Sequence, residues 1–275
     1  MVTIHDLIHQ KYEMKTATTH SPLLYKIKHA AYNFAFSNAI KNSQKIITPS
    51  EYVKNDLIKA FDVKSEKITV TYEGVEEEFI KISERLTSKK QNEILAKFNI
   101  KPPFIFYIGN AHPHKNVIGL IEAFKILRKD YQYLTLVLAG RENYFWSKIL
   151  KQVHDDNMKS VIFAGNLTDE ELAVFYKNAA VYVQPSFEEG FGLPVLEAFS
   201  LGCPVASSNA ASLPEIGKDA AVYFEPSDIY SIAENLKKVL NEQKLRKEMI
   251  QKGRKRAEDF SFKKMAEETL KIYNS

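Results

Sequence analysis

The strongest constraint in this sequence is a rhythm in its second half. Four short, mainly apolar runs, at 104–108, 134–139, 160–164 and 181–184, each lead through a glycine-containing turn into a segment with helical spacing. Apolar strands that alternate with helices predict a parallel sheet covered on both faces, because such strands have no polar side to show to water. Sheets of this kind bind ligands beyond the carboxyl ends of their strands. The turns at Gly109, Gly140, Gly165 and Gly190 all follow strands, so they are expected to surround one cleft. Short strands at 204–206 and 221–224 extend the pattern. Helices near 227–241, 243–259 and 261–273 close it.

The first half carries a weaker version of the same rhythm. Residues 2–4 read as a strand running into His5-Asp6. A helix is expected over 22–42, where Leu24, Ile27, Ala31, Phe34, Ala35 and Ile40 recur at three- and four-residue steps. A strand at 45–48 leads through Thr48-Pro49-Ser50 to a helix ending near Phe61, with Ser50 as N-cap and Glu51 in the first turn. A strand at 67–72 stops at Glu73-Gly74-Val75. The stretch 80–103 is rich in Lys, Ser, Gln and Glu and ends in Pro102-Pro103. It reads as a linker with one short helix, 88–97. The expected organisation is a partial first domain over 1–85 and a second domain over 86–258, followed by a closing segment, 259–275. A chain of 275 residues has room for both domains.

Composition narrows the classes. A net charge of +4 suits anionic small ligands or a membrane surface and argues little for nucleic acid. The single cysteine, Cys203, excludes an internal disulfide framework and an all-cysteine metal site. It reads as a small buried hydrophobe and fits a reducing cytoplasm. No apolar run reaches the roughly 20 residues that span a bilayer.

The chemistry concentrates in 185–203, PSFEEGFGLPVLEAFSLGC. Gly190 and Gly192 let a turn approach a ligand closely. Pro194 suits the first position of a helix that runs to about Leu201, and Gly202 caps its end. The helix start then points free N–H groups, including that of Leu193, at whatever fills the turn, an arrangement suited to phosphate. Glu197 lies among Val195, Leu196, Ala198 and Phe199, where a carboxylate needs hydrogen-bond partners; a sugar diol supplies two. A tight turn entering a core helix, with Glu197 paired locally, is the plainer reading of the same residues. A second motif, Gly109-Asn110-Ala111-His112-Pro113-His114-Lys115-Asn116, places a basic pair at a helix start and suits a diphosphate. Its spacing is not that of a Walker loop. His5 ends a strand and is suited to proton chemistry near neutrality. Arg141 ends another strand, within reach of the cleft. Thr168 and Glu171 read as a capping box, and 144–146, Tyr-Phe-Trp, as helix packing. No Asp-x-Asp metal motif occurs.

The stretch EEGFGLPVLEAFSLGCPV resembles the signature of retaining glycosyltransferases of family four, which have the GT-B fold. The resemblance implies two Rossmann-like parallel-sheet domains, with the closing helix packed back on the first. It implies that Glu189 contacts the transferred sugar and that Gly190, Phe191, Gly192 and Leu193 line the donor site. Glu197 would bind the nucleotide ribose, and His5 would face the sugar and phosphates across the cleft. Backbone groups near Phe163 would bind the base. Gly109, His114 and Lys115 fall where the family binds the donor phosphates. His114 stands where the family usually has Arg, so Lys115 would carry most of the charge. His5 matches a motif that lies mid-way through the family's N-terminal domain, so the first domain is expected to be incomplete.

The implied activity is metal-independent, cofactor-independent transfer of a hexose with retention. The donor would be GDP-mannose first, with UDP- or ADP-sugars next, and the acceptor a saccharide or lipid-linked saccharide. His5, Glu189 and Lys115 would be the catalytic residues. The setting would be cytoplasmic, at the inner face of a membrane if the basic helix 22–42 meets acidic lipid; the alternative for that helix is a core-facing role with solvated lysines. Two other activities fit less of the sequence. One is a nucleotide-sugar-binding module without catalysis; the other is an epimerase or phosphorylase on the same fold.

Overall fold

The computed structural model describes residues 1–11 and 22–274. Among these residues, nine strands form two all-parallel sheets. The first sheet holds β1 (Val2–Thr3), β2 (Ile46–Thr48) and β3 (Ile68–Val70), in that order. The second holds β4 (Phe104–Ile108), β5 (Thr135–Ala139), β6 (Val161–Gly165), β7 (Val181–Gln184), β8 (Val205–Ser208) and β9 (Ala221–Phe224). Its order is β6-β5-β4-β7-β8-β9. The chain steps outward from β4 to β6, then returns to the other side of β4 and steps outward again. β4 and β7 therefore flank the point where the winding reverses, and the crevice of a doubly wound sheet opens there.

The apolar runs are explained by two separate cores. Phe104, Phe106, Val137, Ala139 and Tyr182 pack on one face of the second sheet. Ile105, Tyr107, Leu136, Leu138, Val181 and Val183 pack on the other. Both sides of the inner strands β4, β5 and β7 are buried, so their side chains are mainly apolar. The local signals also act as read. Ser50 Oγ accepts from Val53 N and caps Glu51–Phe61. Thr168 and Glu171 close a reciprocal capping box before Asp169–Asn178. Pro194 is one residue further in than expected, because Leu193–Ser200 begins on Gly192, which caps it with φ 107°.

Three expectations change. Residues 80–103 are not a loose linker, and the first 85 residues do not all belong with the first sheet. Glu77–Glu84 and Ser88–Lys97 are helices, and Phe79, Leu86, Ile94, Leu95 and Ile100 enter the same core as Phe104 and Phe106. The Phe79 ring meets Tyr176 at 6.5 Å and Phe98 meets Phe175 at 5.2 Å. The polar composition belongs to the outer faces of these helices, and a few well-spaced apolar residues are enough to dock them. Pro22–Asn42 does not face a core along its length either. Ile40 is buried, but Leu24, Ile27 and Phe34 are exposed, Phe34 at 72%. Its apolar residues are spread around the axis, so one side cannot bury them all. No helix among the described residues is long and apolar enough to cross a membrane.

The two units touch at their edges. Val75 bridges to Ser261, which caps the last helix, Phe262–Tyr273. Lys45 Nζ donates to the Ile272 carbonyl at 3.4 Å.

Phe175 is fully buried, and its ring meets those of Phe98, Phe104 and Phe106. Phe175→Ala should cost about 3–5 kcal/mol, by lost transfer energy and a residual cavity. Urea unfolding followed by circular dichroism measures it.

Candidate active site

The loop after β4 and the loop after β7 are tied together before either reaches the crevice. Tyr107 OH donates to the Asn110 carbonyl at 2.7 Å, which shapes the first loop. Pro113–Lys115 forms a single tight helical turn, and Asn116 follows it with φ 54°. Asn116 Nδ2 donates to the carbonyls of Pro185 and Pro226 at 3.1 and 2.7 Å. Phe187 N donates to the His114 carbonyl at 2.8 Å. These bonds fix where Lys115 and Glu189 emerge.

Lys115 Nζ donates to both Glu189 oxygens at 2.7 Å. Glu189 Oε1 also accepts from Gln184 Nε2 at 2.6 Å and from Ser186 Oγ at 2.7 Å. Tyr182 OH in turn donates to Gln184 Oε1. The carboxylate is buried, and a buried carboxylate needs this number of donors. Beside the pair is a cavity of about 270 Å³. Its lining includes His5, Gly109, Lys115, Glu189, Phe191 and Leu193, together with Gly190 and Gly192. The turn must be close-packed to reach this position. A Cβ on Gly190 would lie 2.1 Å from the His5 carbonyl oxygen, so only glycine lets the two units meet here.

Glu197 faces a different space. It lines a second cavity of about 290 Å³ with Gly74, Glu76, Asp169, Leu193 and Phe262. Leu193 lines both cavities, so the expected single cleft is two compartments that share a wall. Tyr176 OH donates to Glu197 Oε2 at 2.9 Å. Burial raises the Glu197 carboxyl pKa above its ordinary value, and the Tyr176 hydrogen bond offsets part of that rise. Burial also pushes the Tyr176 hydroxyl well up, which keeps it a donor.

Two expected side chains, His114 and Arg141, line neither cavity, and the Phe163 ring, whose backbone was the expected contact, is packed. The His114 ring is buried and lines neither cavity. Burial, reinforced by Lys115, His112 and His9, holds its pKa down to about 3, so it is neutral and contributes no charge toward phosphate. Its ring stacks on His112 at 5.8 Å, and its carbonyl accepts from Phe187 N. Phe163 packs on Trp146 with ring centres 4.8 Å apart, and Trp146 Nε1 donates to the Gly109 carbonyl at 3.3 Å. Both aromatic rings are consumed in supporting the Gly109 turn from below. Arg141 is exposed at the end of β5 and lines neither cavity. His5 does reach the first cavity, with Nδ1 3.1 Å from Glu73 Oε1.

Sequence reasoning missed Gln184, Ser186 and Tyr176. A signal existed for Gln184, a polar residue ending an otherwise apolar strand. None existed for Tyr176, which meets Glu197 only through tertiary packing.

The sequence of residues 89–256 matches the family described as Glycosyl transferases group 1, and residues 1–79 match Glycosyltransferase Family 4. The chain belongs to the glycosyl transferases group 1 family. The O-antigen chain mannosyltransferase B of Escherichia coli is 28% identical over 86% of this chain and 61% of its own length. The O-antigen chain mannosyltransferase RfbU of Salmonella typhimurium is 30% identical over 78% of this chain and 57% of its own. The chain thus spans about three fifths of the length of these curated relatives. Among solved structures, Anabaena HepE in complex with UDP and glucose superposes with a TM-score of 0.80 at 16% identity, over all of this chain and 71% of that one. The two parallel-sheet units are those of the GT-B glycosyltransferase fold.

The raised Glu197 pKa makes the folded chain lose stability as pH rises. The folded carboxyl keeps its proton to higher pH than the unfolded one, so the folded state binds more protons just above the ordinary carboxylate range. Glu197→Gln removes that dependence and keeps an acceptor for Tyr176. Its melting temperature relative to the parent protein should climb as pH is raised from 4 to 8, measured by thermal unfolding without ligand.

Proposed function

We propose that the protein transfers a hexose from a nucleoside diphosphate sugar to a saccharide or lipid-linked acceptor, with retention of anomeric configuration. The observation that carries this reading is the Lys115–Glu189 contact beneath the Gly192–Leu193 helix start, at the winding reversal of the second sheet. A cation, a carboxylate and free helix-start N–H groups stand within one small cavity. In this reading the donor diphosphate takes the Lys115 ammonium, and Glu189 is released to orient the sugar. The bond between the sugar carbon and the diphosphate oxygen breaks as the acceptor oxygen bonds that carbon. The acceptor proton leaves to the phosphate side, and the nucleoside diphosphate departs. Charge grows on the leaving oxygen, where Lys115 and the helix start stabilise it. His5 stands across the cavity from the turn. Glu197 takes the ribose hydroxyls from the adjoining compartment, beside Tyr176.

The names of the relatives, O-antigen mannosyltransferases, support mannose as the transferred sugar and GDP-mannose as the first donor to test. HepE, solved with UDP and glucose, makes a UDP-hexose the second. The exposed Leu24, Ile27 and Phe34, beside Lys26, suit an anionic membrane surface that would present a lipid-linked acceptor.

The test is a donor screen that follows nucleoside diphosphate release. Lys115→Ala and Glu189→Gln should each lower kcat by about two orders of magnitude or more, as loss of one preorganised charge contact does. Turnover should persist in EDTA. Parent-like turnover in both variants would remove these residues from the chemistry.

A further inference from the structure

Glu188 and Glu189 are neighbours in one turn and face opposite ways. Glu189 turns into the second unit, toward Lys115, Gln184 and Ser186. Glu188 turns out of it, toward the first unit, and is also buried. Its Oε1 accepts from Tyr52 OH at 2.8 Å and from Lys11 Nζ at 2.8 Å. Lys11 Nζ also donates to Tyr52 OH at 2.8 Å and pairs with Asp56. Burial alone would lower the Lys11 pKa, but its bonds to Asp56, Glu188 and Tyr52 raise it. Burial and the nearby carboxylates push the Tyr52 hydroxyl up to about 12. Both remain protonated donors at neutral pH, so the network is complete.

The same turn has a second attachment to the same helix. Ser50 Oγ donates to the Gly190 carbonyl at 2.6 Å. The start of that helix is itself held by the second unit. The backbone N–H groups of Glu51 and Tyr52 donate to Glu215 Oε1 and Oε2 at 2.8 and 3.0 Å. Helix Glu51–Phe61 is therefore clamped by Glu215 and, through Tyr52, clamps the turn that carries Glu189.

We propose that Glu188 is a positioning residue for transfer: its bonds to Tyr52 and Lys11 hold the Glu189 turn in register with the sugar. This rests on the function proposed above. In that reading the donor diphosphate draws Lys115 away from Glu189, which then keeps only Gln184 and Ser186. The turn must then be steadied by its other attachments: Ser50 and Ser212 hold its backbone carbonyls, and Glu188 ties its side-chain face to the first unit. Small displacements of a reacting group are costly to rate while leaving the bound nucleotide untouched.

The experiment compares Glu188→Gln, Tyr52→Phe and the double variant in the full chain. Turnover is read as nucleoside diphosphate release from GDP-mannose and UDP-glucose. GDP and UDP affinity is read by calorimetry, and amide hydrogen exchange over residues 186–192 by mass spectrometry. Each single variant should lower kcat by about 10- to 100-fold and leave the nucleotide dissociation constant within about twofold. The double variant should lose less than the two singles combined, because both weaken the Tyr52–Glu188 contact. Exchange over 186–192 should quicken, with that of β4 unchanged. Unaltered exchange in Glu188→Gln overturns the proposal, and so do unaltered kcat or losses in the two variants that add. If Glu188→Gln fails to fold, the milder Tyr52→Phe carries the same readouts. A parent protein that releases no diphosphate from either donor overturns the functional reading instead, and exchange still decides the tie.

Discussion

A buried ion pair sets the terms for the rest of this molecule. Lys115 comes from the loop after β4 and Glu189 from the loop after β7, and they meet where the sheet reverses its winding. Taking both charges out of water is costly, and their attraction alone does not recover that cost. The surroundings make up the difference. Gln184 and Ser186 donate to one oxygen, and Asn116 ties the Lys115 loop to the Glu189 loop through the Pro185 carbonyl and to the segment after β9 through the Pro226 carbonyl.

The second requirement is that two separately cored units be registered at the turn that carries Glu188 to Gly190. The interface is polar and backbone-rich. Ser50 reaches the Gly190 carbonyl, the Glu215 carboxylate caps a helix of the other unit, and Glu188 receives Tyr52 and Lys11. Such contacts are directional, unlike apolar packing, so they fix registration rather than merely holding surfaces together. Gly190 brings the backbones close enough for this by having no side chain to intervene.

Much of the architecture was legible in the residue order. Val181–Gln184, Ser88–Lys97 and Ala221–Phe224 fall where the pattern puts them, and the Ser50 and Thr168 caps act as their residue types require. The misreadings share a cause. The polar stretch before Pro102 looked like a linker because composition averages over both faces of a helix, and Phe79, Ile94 and Leu95 are few. The 22–42 helix looked half-buried because the spacing of its apolar residues says nothing about which neighbours are present.

The sequence by itself determined the alternating strands and helices, their caps and turns, and the carboxylates and lysine that chemistry needs. These follow from interactions between residues close along the chain. Only the tertiary structure decided that Glu189 pairs with Lys115 while Glu197 faces a separate compartment beside Tyr176. It likewise buried His114 as a neutral ring, spent Phe163 on packing, and turned Glu188 toward Tyr52. Each of these outcomes depends on partners brought close by the winding of the sheets and the docking of the two units. Burial and hydrogen-bond satisfaction, which select among them, exist only once that docking is complete.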